Sequence, residues 1–447
     1  MIFRQFVDED LGCASYLVGD EEAGEAVVVD PTYEIAPYLE EAEKHDVRIC
    51  CVLETHTHAD HVSGHGRFAL EHAVPMRIHP AAEPEYSFEP LADGDEVVIG
   101  HVALRVVHTP GHRPEHCCFA VLDRSRADEP WLILTGDSLF VGDAARPDLA
   151  VEACEGAREL YRSLQRLLEL ADGVEVFPGH VTGSLCGAGM SSRASTTLGF
   201  ERRFNPALDV AGEDEFVDES IGVKTPKPPN AERIVALNSG PFLPAPEPLR
   251  ELASPGDAVV LDVRLLEEYA AGHARGALSV PLDGSSFATK AGFVLSPDEP
   301  VVIRAADAGQ AELAARGLRS VGFLVVEGYV LATEDDERLE TLSVEDLERL
   351  VADDSVEVLD VREPHERDEG FIPGSRNVPY RLVRRCAGDL RFEKPLVTIC
   401  STGTRAAVAA SALLHEGIDA KPVIDGGVSD WERQGAATVA FRRCGAS

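Results

Sequence analysis

The stretch Thr55-His56-Thr57-His58-Ala59-Asp60-His61 follows directly on the apolar run Ile49-Cys50-Cys51-Val52-Leu53. The apolar run predicts a buried strand, and four side chains that can bind a metal stand at its carboxyl end: His56, His58, Asp60 and His61. A helix would spread them over several faces, whereas a loop after a strand can turn them toward one point, where open α/β sheets place their chemistry. Imidazole and carboxylate groups in this pattern predict a metal centre.

Length and charge restrict the class of protein. A chain of 447 residues with 44% apolar side chains is long enough for two to four domains with cores of their own. The net charge of -37 argues against nucleic acid and anionic membranes as partners, since both attract basic surfaces. The first residues lack the apolar core of a signal peptide, and no apolar run reaches the length of a membrane span. We therefore expect a cytoplasmic homo-oligomer that binds neither nucleic acid nor membrane.

Composition also divides the chain. Twelve of the fifteen histidines precede residue 181, and a proline-rich stretch at about 225–248 predicts the end of the metal-binding domain and its linker. Beyond it, Val259-Val-Leu-Asp-Val-Arg264 is repeated as Glu357-Val-Leu-Asp-Val-Arg362. The spacing of the two copies suits two small α/β domains. We expect domains at residues 1–240, 246–335 and 341–447.

Three later segments repeat the pattern of a strand followed by a turn with a ligand. Val106-Val-His-Thr-Pro-Gly-His112 and Val176-Phe-Pro-Gly-His180 end in imidazoles, and Leu132-Ile-Leu-Thr-Gly-Asp137 ends in a carboxylate. Local patterning predicts a helix over 61–72 after the first motif, Cys50-Cys51 and Cys117-Cys118 in strands of the core, and His116 as a surface residue at a strand start. Seven residues thus become candidate ligands: His56, His58, Asp60, His61, His112, Asp137 and His180.

These motifs, in this order, resemble the metallo-β-lactamase superfamily over about residues 1–225. The resemblance implies an α/β fold, an αββα sandwich with the site at one edge of the two sheets. It leaves the reaction open, because this fold hosts several chemistries.

Two metal arrangements follow from the resemblance. In glyoxalase II-like thioester hydrolases, one zinc is bound by His56, His58 and His112, a second by Asp60, His61 and His180, and Asp137 bridges them. In persulfide dioxygenases of the same fold, a single Fe(II) is bound by His56, His112 and Asp137, as in other non-haem iron oxygenases. His58, Asp60, His61 and His180 then support these ligands or the substrate. The ligand set alone leaves both arrangements open.

The last domain contains Leu396-Val-Thr-Ile-Cys400-Ser-Thr-Gly-Thr-Arg405 before a predicted helix. Such a loop directs backbone N–H groups at the sulfur, and the helix N-terminus adds positive potential, so a nucleophilic thiolate at Cys400 is favoured. Arg405 adds charge that can bind an oxyanion. Residues 341–440 resemble rhodanese sulfurtransferases, which implies that Cys400 carries a persulfide.

The first of the two repeats differs from the second at the position of the nucleophilic cysteine. Aligning Val301-Val-Ile-Arg304 with Val397-Thr-Ile-Cys400 puts Arg304 where the thiol should be, and residues 246–335 contain no cysteine. We expect a degenerate rhodanese-like domain there. The whole chain then resembles bacterial persulfide dioxygenase–rhodanese fusions of sulfide detoxification. The resemblance implies an enzyme that takes O2 and a small thiol persulfide, of glutathione or coenzyme A, and forms sulfite and thiosulfate. The alternatives are a two-zinc hydrolase and a sulfur carrier with a vestigial metal site.

Two further residues are candidates for binding the substrate. Arg146 follows Asp137 along the chain, and it either contacts a carboxylate or phosphate of the thiol carrier or pairs with Asp148. Cys186, in a glycine-rich segment after His180, is either a thiol on the substrate side or a packed cysteine. The sequence leaves both pairs of alternatives open.

Overall fold

The computed structural model describes residues 1–181, 191–222 and 226–440. It contains two compact units. One comprises Met1–Pro246 with Arg319–Gly322, and the other comprises Glu247–Leu318 with Phe323–Ser447.

Among the described residues, the first unit contains two six-stranded sheets. The first has the order β1-β2-β3-β4-β5-β6; its strands are β1 (Ile2–Val7), β2 (Ala14–Asp20), β3 (Glu25–Val29), β4 (Arg48–Leu53), β5 (Met76–Ile78) and β6 (Glu89–Pro90). The second has the order β14-β13-β10-β9-β8-β7; its strands are β7 (Glu96–Ile99), β8 (Val102–His108), β9 (Cys117–Asp123), β10 (Leu132–Gly136), β13 (Glu175–Pro178) and β14 (Thr196–Thr197). A separate ribbon consists of β11 (Leu139–Phe140) and β12 (Asp143–Ala144).

Helices cover the outer faces of both sheets. Those of this unit are α1 (Ala36–Lys44), α2 (His65–His72), α3 (Ala153–Leu167), α4 (Leu198–Phe204), α5 (Glu213–Gly222) and α6 (Ala231–Ser239). The inner faces pack on each other through residues such as Val29, Leu53 and Phe119. A second core lies between the first sheet and helices α1 and α2, and a third lies between the second sheet and α3. This layering is the predicted αββα sandwich.

The run before the first motif is apolar because β4 is covered on both faces. Leu53 packs in the core between the sheets, and Val52 packs in the core under α1. A strand buried on both sides reads as a continuous apolar run rather than as an alternating one. Full burial of one such side chain contributes about 1.5–3 kcal/mol. The loop that follows β4 is therefore anchored to the rigid centre of the sheet.

One local prediction was wrong. The helix after the motif begins at His65 and not at residue 61, so His61 lies in the loop before the helix. Within the proline-rich stretch, α6 forms near the end of the first unit and buries Ile234.

The second unit contains two four-stranded parallel sheets within the described residues. The first repeat has the order β16-β15-β17-β18 and the second β20-β19-β21-β22. The strands are β15 (Val259–Asp262), β16 (Leu278–Ser279), β17 (Val301–Arg304), β18 (Val326–Val330), β19 (Glu357–Asp360), β20 (Arg376–Asn377), β21 (Leu396–Ile399) and β22 (Ala420–Pro422). The helices are α7 (Leu266–Ala271), α8 (Phe287–Val294), α9 (Ala308–Ser320), α10 (Val344–Ala352), α11 (Pro364–Glu369), α12 (Tyr380–Cys386), α13 (Thr404–His415) and α14 (Val428–Arg433).

Strand register corrects the predicted alignment of the two repeats. Asp262 in the first repeat pairs with Arg304, whereas the matching Asp360 in the second pairs with Ile399. Ala305, and not Arg304, is therefore the counterpart of Cys400. The conclusion that the first repeat lacks a thiol at this place is unchanged.

Arg304 has a different role from the one the alignment suggested. Its buried guanidinium donates through Nη1 to the carbonyl oxygens of Ala305, at 3.0 Å, and of Leu331.

In the described part of the chain, no helix has the length and apolar character needed to cross a membrane.

Candidate metal centre and cysteine loop

Three turns at the strand ends bring His56, His112 and Asp137 together. Ligand atoms of all three lie within 4.8 Å of one another, and all three side chains are buried. Nε2 of His112 is 3.7 Å from Oδ2 of Asp137, and the rings of His56 and His112 are nearly perpendicular, with centroids 5.0 Å apart. Two imidazoles and one carboxylate that converge in this way match the donor set of non-haem iron sites.

Glycines allow the turns to approach so closely. Gly136 has φ +47, and a Cβ there would lie 2.7 Å from Oγ1 of Thr55 and from Nε2 of His116. Gly111 has φ +137, and a Cβ there would lie 2.3 Å from the backbone nitrogen of Leu160. L residues rarely adopt such backbone angles, and the neighbouring atoms leave no space for a side chain.

Asp137 Oδ2 has no hydrogen-bond partner among the described residues, although it is buried. A buried carboxylate oxygen without a hydrogen-bond partner costs free energy, so it indicates a binding partner such as a metal ion. The nearby imidazoles of His56 and His112 have their Nδ1 atoms engaged elsewhere, as described next. The three residues therefore fit a bound metal ion, which would complete the coordination of that oxygen.

Hydrogen bonds orient both imidazoles. The Thr55 hydroxyl donates its proton to Oδ2 of Asp30 at 2.8 Å. Its oxygen therefore accepts a hydrogen bond from Nδ1–H of His56 at 2.9 Å. Nδ1–H of His112 donates to the backbone carbonyl of Arg146 at 3.0 Å. Both rings therefore keep the lone pair of Nε2 for a metal, the usual way in which outer hydrogen bonds fix metal-binding histidines.

The electrostatics suit metal binding. Burial lowers the pKa of His56 well below its usual value, and the neighbouring rings of His58 and His112 lower it further. Burial also lowers the pKa of His112. For Asp137, burial alone would raise the pKa, but the His180 imidazole outweighs it and holds the pKa below its usual range. Neutral imidazoles and an ionised carboxylate are the forms that bind metals.

Asp60, His61 and His180 lie beside this triad and form a second group with Cys13. His180 bridges two carboxylates, with Nδ1 2.8 Å from Oδ1 of Asp137 and Nε2 2.8 Å from Oδ2 of Asp60. The Cys13 thiol is 3.2 Å from Asp60, 3.5 Å from Nδ1 of His61 and 3.4 Å from Nε2 of His180. Sequence reasoning missed Cys13, because it lies far from the motifs along the chain.

His58 belongs to a third group. Its Nε2 lies 3.0 Å from Oε2 of Glu54 and 3.3 Å from Oδ1 of Asp30, and all three side chains are buried. Glu54 also accepts from Ser63 and lies 3.0 Å from Nδ1 of His65. The structure thus brings His56 and His112 together but turns Nε2 of His58 toward the carboxylates behind them. Asp30 and Glu54 each directly follow a buried strand, and this is the one sequence signal that could have found them.

The prediction of His116 as a surface residue was wrong. His116 is fully buried, accepts from the backbone N–H of Asp137 through Nε2 at 3.0 Å, and contacts Oγ1 of Thr109 through Nδ1 at 2.8 Å. It therefore helps to hold the carboxylate ligand in place. The spacing after the Thr-Pro-Gly-His turn gave no sign of this, because His116 sits at a strand start with an ordinary local pattern.

Asn238, in the last helix of the first unit, was not predicted as part of the site. From α6 its amide donates to the carbonyl oxygens of His58, at 3.0 Å, and His61, at 2.8 Å, while its Oδ1 accepts from the N–H of Ser63 at 2.9 Å. All three bonds are buried. The end of the first unit therefore closes back on the loop that carries the motif.

Of its two predicted roles, Arg146 has the structural one, the pair with Asp148. Its guanidinium forms a bidentate pair with Asp148, with distances of 2.7 and 2.9 Å, and donates to the carbonyl of Pro226 at 2.8 Å. Its backbone carbonyl, rather than its side chain, reaches the metal centre through His112. Cys186 lies outside the described residues.

In the second repeat, Cys400 lies at the base of a short loop before α13. The thiol is buried and accepts from the backbone N–H of Gly403 at 3.1 Å. Gly403 has φ +98, and a Cβ there would lie 2.5 Å from the carbonyl oxygen of Ile424. The loop thus places a donor on the sulfur at the N-terminus of a twelve-residue helix.

Arg405 does not stand free to bind an oxyanion. It forms a bidentate pair with Glu366, with both distances 2.7 Å, and also donates to the hydroxyl of Ser401 at 3.0 Å. The Ser401 hydroxyl in turn donates to Glu366 at 3.1 Å. Glu366, which was not predicted, therefore neutralises the arginine beside the cysteine loop.

Family models match both halves of this architecture. The metallo-beta-lactamase superfamily matches residues 8–180 and the rhodanese-like domain matches residues 343–434. The mitochondrial persulfide dioxygenase ETHE1 of Homo sapiens is 31% identical over 245 residues, which are 53% of this chain and 87% of the human protein. An uncharacterised protein of Mycobacterium leprae is 31% identical over 236 residues, 47% of this chain and 99% of that protein.

A solved structure extends the similarity. The crystal structure of a metallo-beta-lactamase from Staphylococcus aureus matches with a TM-score of 0.68 and 28% identity, covering 74% of this chain and 98% of that one. The chain therefore belongs to the metallo-β-lactamase superfamily, with the persulfide dioxygenases among its relatives, and it carries a rhodanese-like domain in its C-terminal part.

Proposed function

We propose that the first unit is a dioxygenase for low-molecular-weight persulfides, such as those of glutathione or coenzyme A, with one Fe(II) bound by His56, His112 and Asp137. One persulfide, one O2 and one water give the free thiol, sulfite and two protons. We further propose that Cys400 transfers sulfane sulfur, so that sulfite becomes thiosulfate. The enzyme would act in sulfide detoxification.

The single observation that carries the dioxygenase proposal is the unpartnered Oδ2 of Asp137, which faces His112 in a buried site. The donor oxygen points to an ion in the triad. Ferrous iron held by these three residues would supply the redox chemistry by which O2 oxidises sulfur.

The residues of the chain hold and shield this site. Thr55 and the carbonyl of Arg146 orient the two imidazoles, and His116 and His180 hold the Asp137 backbone and carboxylate. Such outer contacts keep ligands in one geometry and set their basicity. Burial of the triad limits water beside a reactive site.

The two-zinc hydrolase is the second candidate, because Nδ1 of His58 is also buried without a hydrogen-bond partner among the described residues. Nε2 of His58 contacts Glu54 and Asp30, so its Nδ1 remains for a zinc beside His56, whose ring centroid is 4.3 Å from that of His58.

The cysteine loop supports the sulfur-transfer half. A persulfide gives its outer sulfur to the Cys400 thiolate and leaves as a thiol, and sulfite then takes that sulfur as thiosulfate. The Gly403 N–H donates to the Cys400 sulfur at the N-terminus of α13, so a persulfide formed on this sulfur has a hydrogen-bond donor beside it. Fusion to a persulfide-consuming domain raises the local concentration of the shared sulfur species.

The test uses the full chain loaded anaerobically with Fe(II), Zn(II) or no metal. Consumption of O2 with glutathione persulfide, found only with iron, supports the proposal. The absence of O2 uptake combined with hydrolysis of an acyl-glutathione by the zinc form would replace it with the hydrolase. If a Cys400→Ser variant lost every sulfur-related activity while metal removal changed nothing, the chain would be a sulfur carrier instead.

A further inference from the structure

A fully buried carboxylate on α4 lies outside the groups described so far. Glu201 is 0% exposed, and its Oε2 accepts hydrogen bonds from the backbone N–H of Gly142, at 2.9 Å, and from Nδ2 of Asn205, at 2.8 Å. Its other oxygen, Oε1, has no hydrogen-bond partner among the described residues. In contrast to Asp137, Glu201 belongs to none of the metal-capable clusters in the described part of the chain, so a metal ion does not account for it.

Burial of Glu201 carries a cost that the α4 helix by itself does not explain. A buried carboxylate oxygen without a partner costs free energy, which an apolar side chain would avoid. An apolar side chain could not, however, accept the hydrogen bonds of Gly142 and Asn205. Proteins break such local rules mainly where a functional site requires it, so the groups bonded to Oε2 indicate what Glu201 does.

Glu201 and Asn205 attach the ribbon of β11 and β12 to α4. Gly142 lies in the turn of this ribbon and has φ +79. Asn205 directly follows α4, is 3% exposed and donates through Nδ2 to the carbonyl oxygen of Asp143 at 3.0 Å. Its Oδ1 accepts from the backbone N–H of Ala207 at 3.0 Å, which fixes the orientation of the amide. Both residues of the turn are therefore bonded to side chains of the α4 segment.

The ribbon lies between two groups that build the metal triad. It begins two residues after Asp137 and ends two residues before Arg146, whose backbone carbonyl accepts from Nδ1–H of His112 at 3.0 Å. The ring of Phe140, in the ribbon, packs nearly perpendicular to the ring of His180, with centroids 6.1 Å apart. A shift of the ribbon would therefore move a metal-binding carboxylate and the acceptor that orients a metal-binding imidazole.

Buried hydrogen bonds also tie the base of the ribbon together. Ala145 N–H donates to the carbonyl oxygen of Ser138 at 3.1 Å, and the Thr135 hydroxyl donates to the carbonyl oxygen of Leu139 at 2.7 Å. Residues 135–146 thus form a closed loop in which both strands are held side by side. A contact at the turn of such a loop affects both of its ends.

We infer that Glu201 is a positioning residue for the metal centre: by holding the turn of the ribbon, it fixes the places of Asp137 and of the Arg146 carbonyl, and so the geometry in which Asp137 and His112 meet an ion. Glu201 acts through the ribbon and is not itself a ligand. The inference rests on the proposed function for the location of the ion in the triad.

The test is an anaerobic titration of the metal-free full chain with Co(II), whose visible absorption bands report the geometry of its ligands. Glu201→Ala removes the acceptor for Gly142 and Asn205. It should weaken Co(II) binding about tenfold, the lower end of the effect expected when an outer contact of a metal ligand is lost. The visible bands should change as well, because the ligands no longer converge in the same way. Urea titration of each metal-free variant measures the stability lost.

Asp20→Ala is the matched control. Asp20 is a buried carboxylate that also accepts two hydrogen bonds, from the backbone N–H groups of Glu22, at 2.9 Å, and His101, at 2.7 Å. It ends β2, a strand of seven residues that begins beside the backbone bridge to His180, so it lies roughly 20 Å along the strand from that end. Asp20→Ala should lose stability like Glu201→Ala but keep the Co(II) affinity and spectrum of the wild type.

Glu201→Gln is the conservative variant. Its side-chain oxygen can still accept from Gly142 and Asn205, so Co(II) affinity and spectrum should return to those of the wild type. If Glu201→Ala does not fold, Asn205→Ala is measured in its place, because it removes the bond to Asp143 and leaves the Gly142–Glu201 bond intact. It should show the same changes to a smaller extent.

Three results would overturn the inference. A folded Glu201→Ala, or in its place Asn205→Ala, with wild-type Co(II) binding shows that the ligands do not depend on the turn of the ribbon. An Asp20→Ala protein with the same loss of affinity shows that the effect follows from lowered stability alone. A Glu201→Gln protein no better than Glu201→Ala shows that the hydrogen bonds of Oε2 are not what positions the ribbon.

Failure of the proposed function gives different results. A wild type that binds no Co(II) would refute the metal centre itself, and the inference with it. No oxygen or persulfide enters the titration, so failure of the dioxygenase proposal alone is recorded in the O2-uptake assay and leaves the role of Glu201 standing.

Discussion

Thr55→Val tests whether the hydroxyl between Asp30 and His56 prepares the metal centre. Valine has nearly the same shape, so the exchange removes the two hydrogen bonds of that hydroxyl, at 2.8 and 2.9 Å, and little packing. The backbone N–H of Thr55 still donates to Oδ1 of Asp30 at 2.7 Å, so the loop keeps its anchor. The His56 ring, however, loses the group that fixes its Nδ1.

The size of the effect follows from these contacts. Loss of an outer partner of a metal-binding histidine weakens metal affinity by about 10–100-fold. This corresponds to about 1.4–2.7 kcal/mol at 25 °C. The metal-free protein should also lose about 1–3 kcal/mol of unfolding free energy, because Oδ2 of Asp30 and Nδ1 of His56 stay buried without that partner.

Affinity is measured by anaerobic competition for Fe(II) against a coloured chelator, and unfolding by urea titration of the metal-free chain. Ser15→Ala is the control, because it removes a buried hydroxyl that contacts Tyr38 at 2.7 Å, away from the triad. It should lower stability by a similar amount and leave iron affinity unchanged. If Thr55→Val binds iron within twofold of the wild type while its stability falls, the reasoning about orientation is refuted.

Other predictions separate the two sites and test the charges around the cysteine loop. His112→Ala should abolish O2 uptake and keep thiosulfate:cyanide sulfur transfer, and Cys400→Ser should do the reverse; loss of both activities in either variant would contradict separate sites. Glu366→Gln should lower the KM for thiosulfate, a dianion, by about fivefold, since removing one negative charge at a partly exposed site changes the binding free energy by roughly 1 kcal/mol. An unchanged KM would mean that Arg405 does not contact thiosulfate. Burial alone would raise the pKa of Glu366, but Arg405 lowers it to about 2 from 4.5. The pair therefore stabilises the fold fully above pH 4.5, and its contribution should fade as the pH falls toward 2 in urea titrations, a loss that Glu366→Gln should lack.

Much of the architecture could be predicted because its signals are local. Continuous apolar runs predicted strands buried on both faces, and the Gly-containing turns after them marked where functional side chains stand. The repeat of Val-Leu-Asp-Val-Arg predicted two similar small domains. The alignment of the repeats failed by one residue at Arg304, because a sequence match cannot see the strand pairing that sets the register.

The candidate site was less accessible to sequence reasoning. Seven potential ligands could be named from their motifs, but their division into groups could not, because it depends on which atoms each side chain faces. His58 turns to Asp30 and Glu54, His180 bridges two carboxylates, and Cys13 reaches the cleft from the residue before β2.

By itself, the sequence determined the fold class, the turns that carry the metal-binding and nucleophilic side chains, and the absence of a thiol from residues 246–335. These properties depend on periodicity and residue type, which act over a few positions. Only the tertiary structure decided that Oδ2 of Asp137 lacks a partner, that Glu366 takes up Arg405, and that Asn238 closes the motif loop. Pairing of buried polar groups joins residues far apart in the chain, so it appears only when the fold brings them within hydrogen-bond distance.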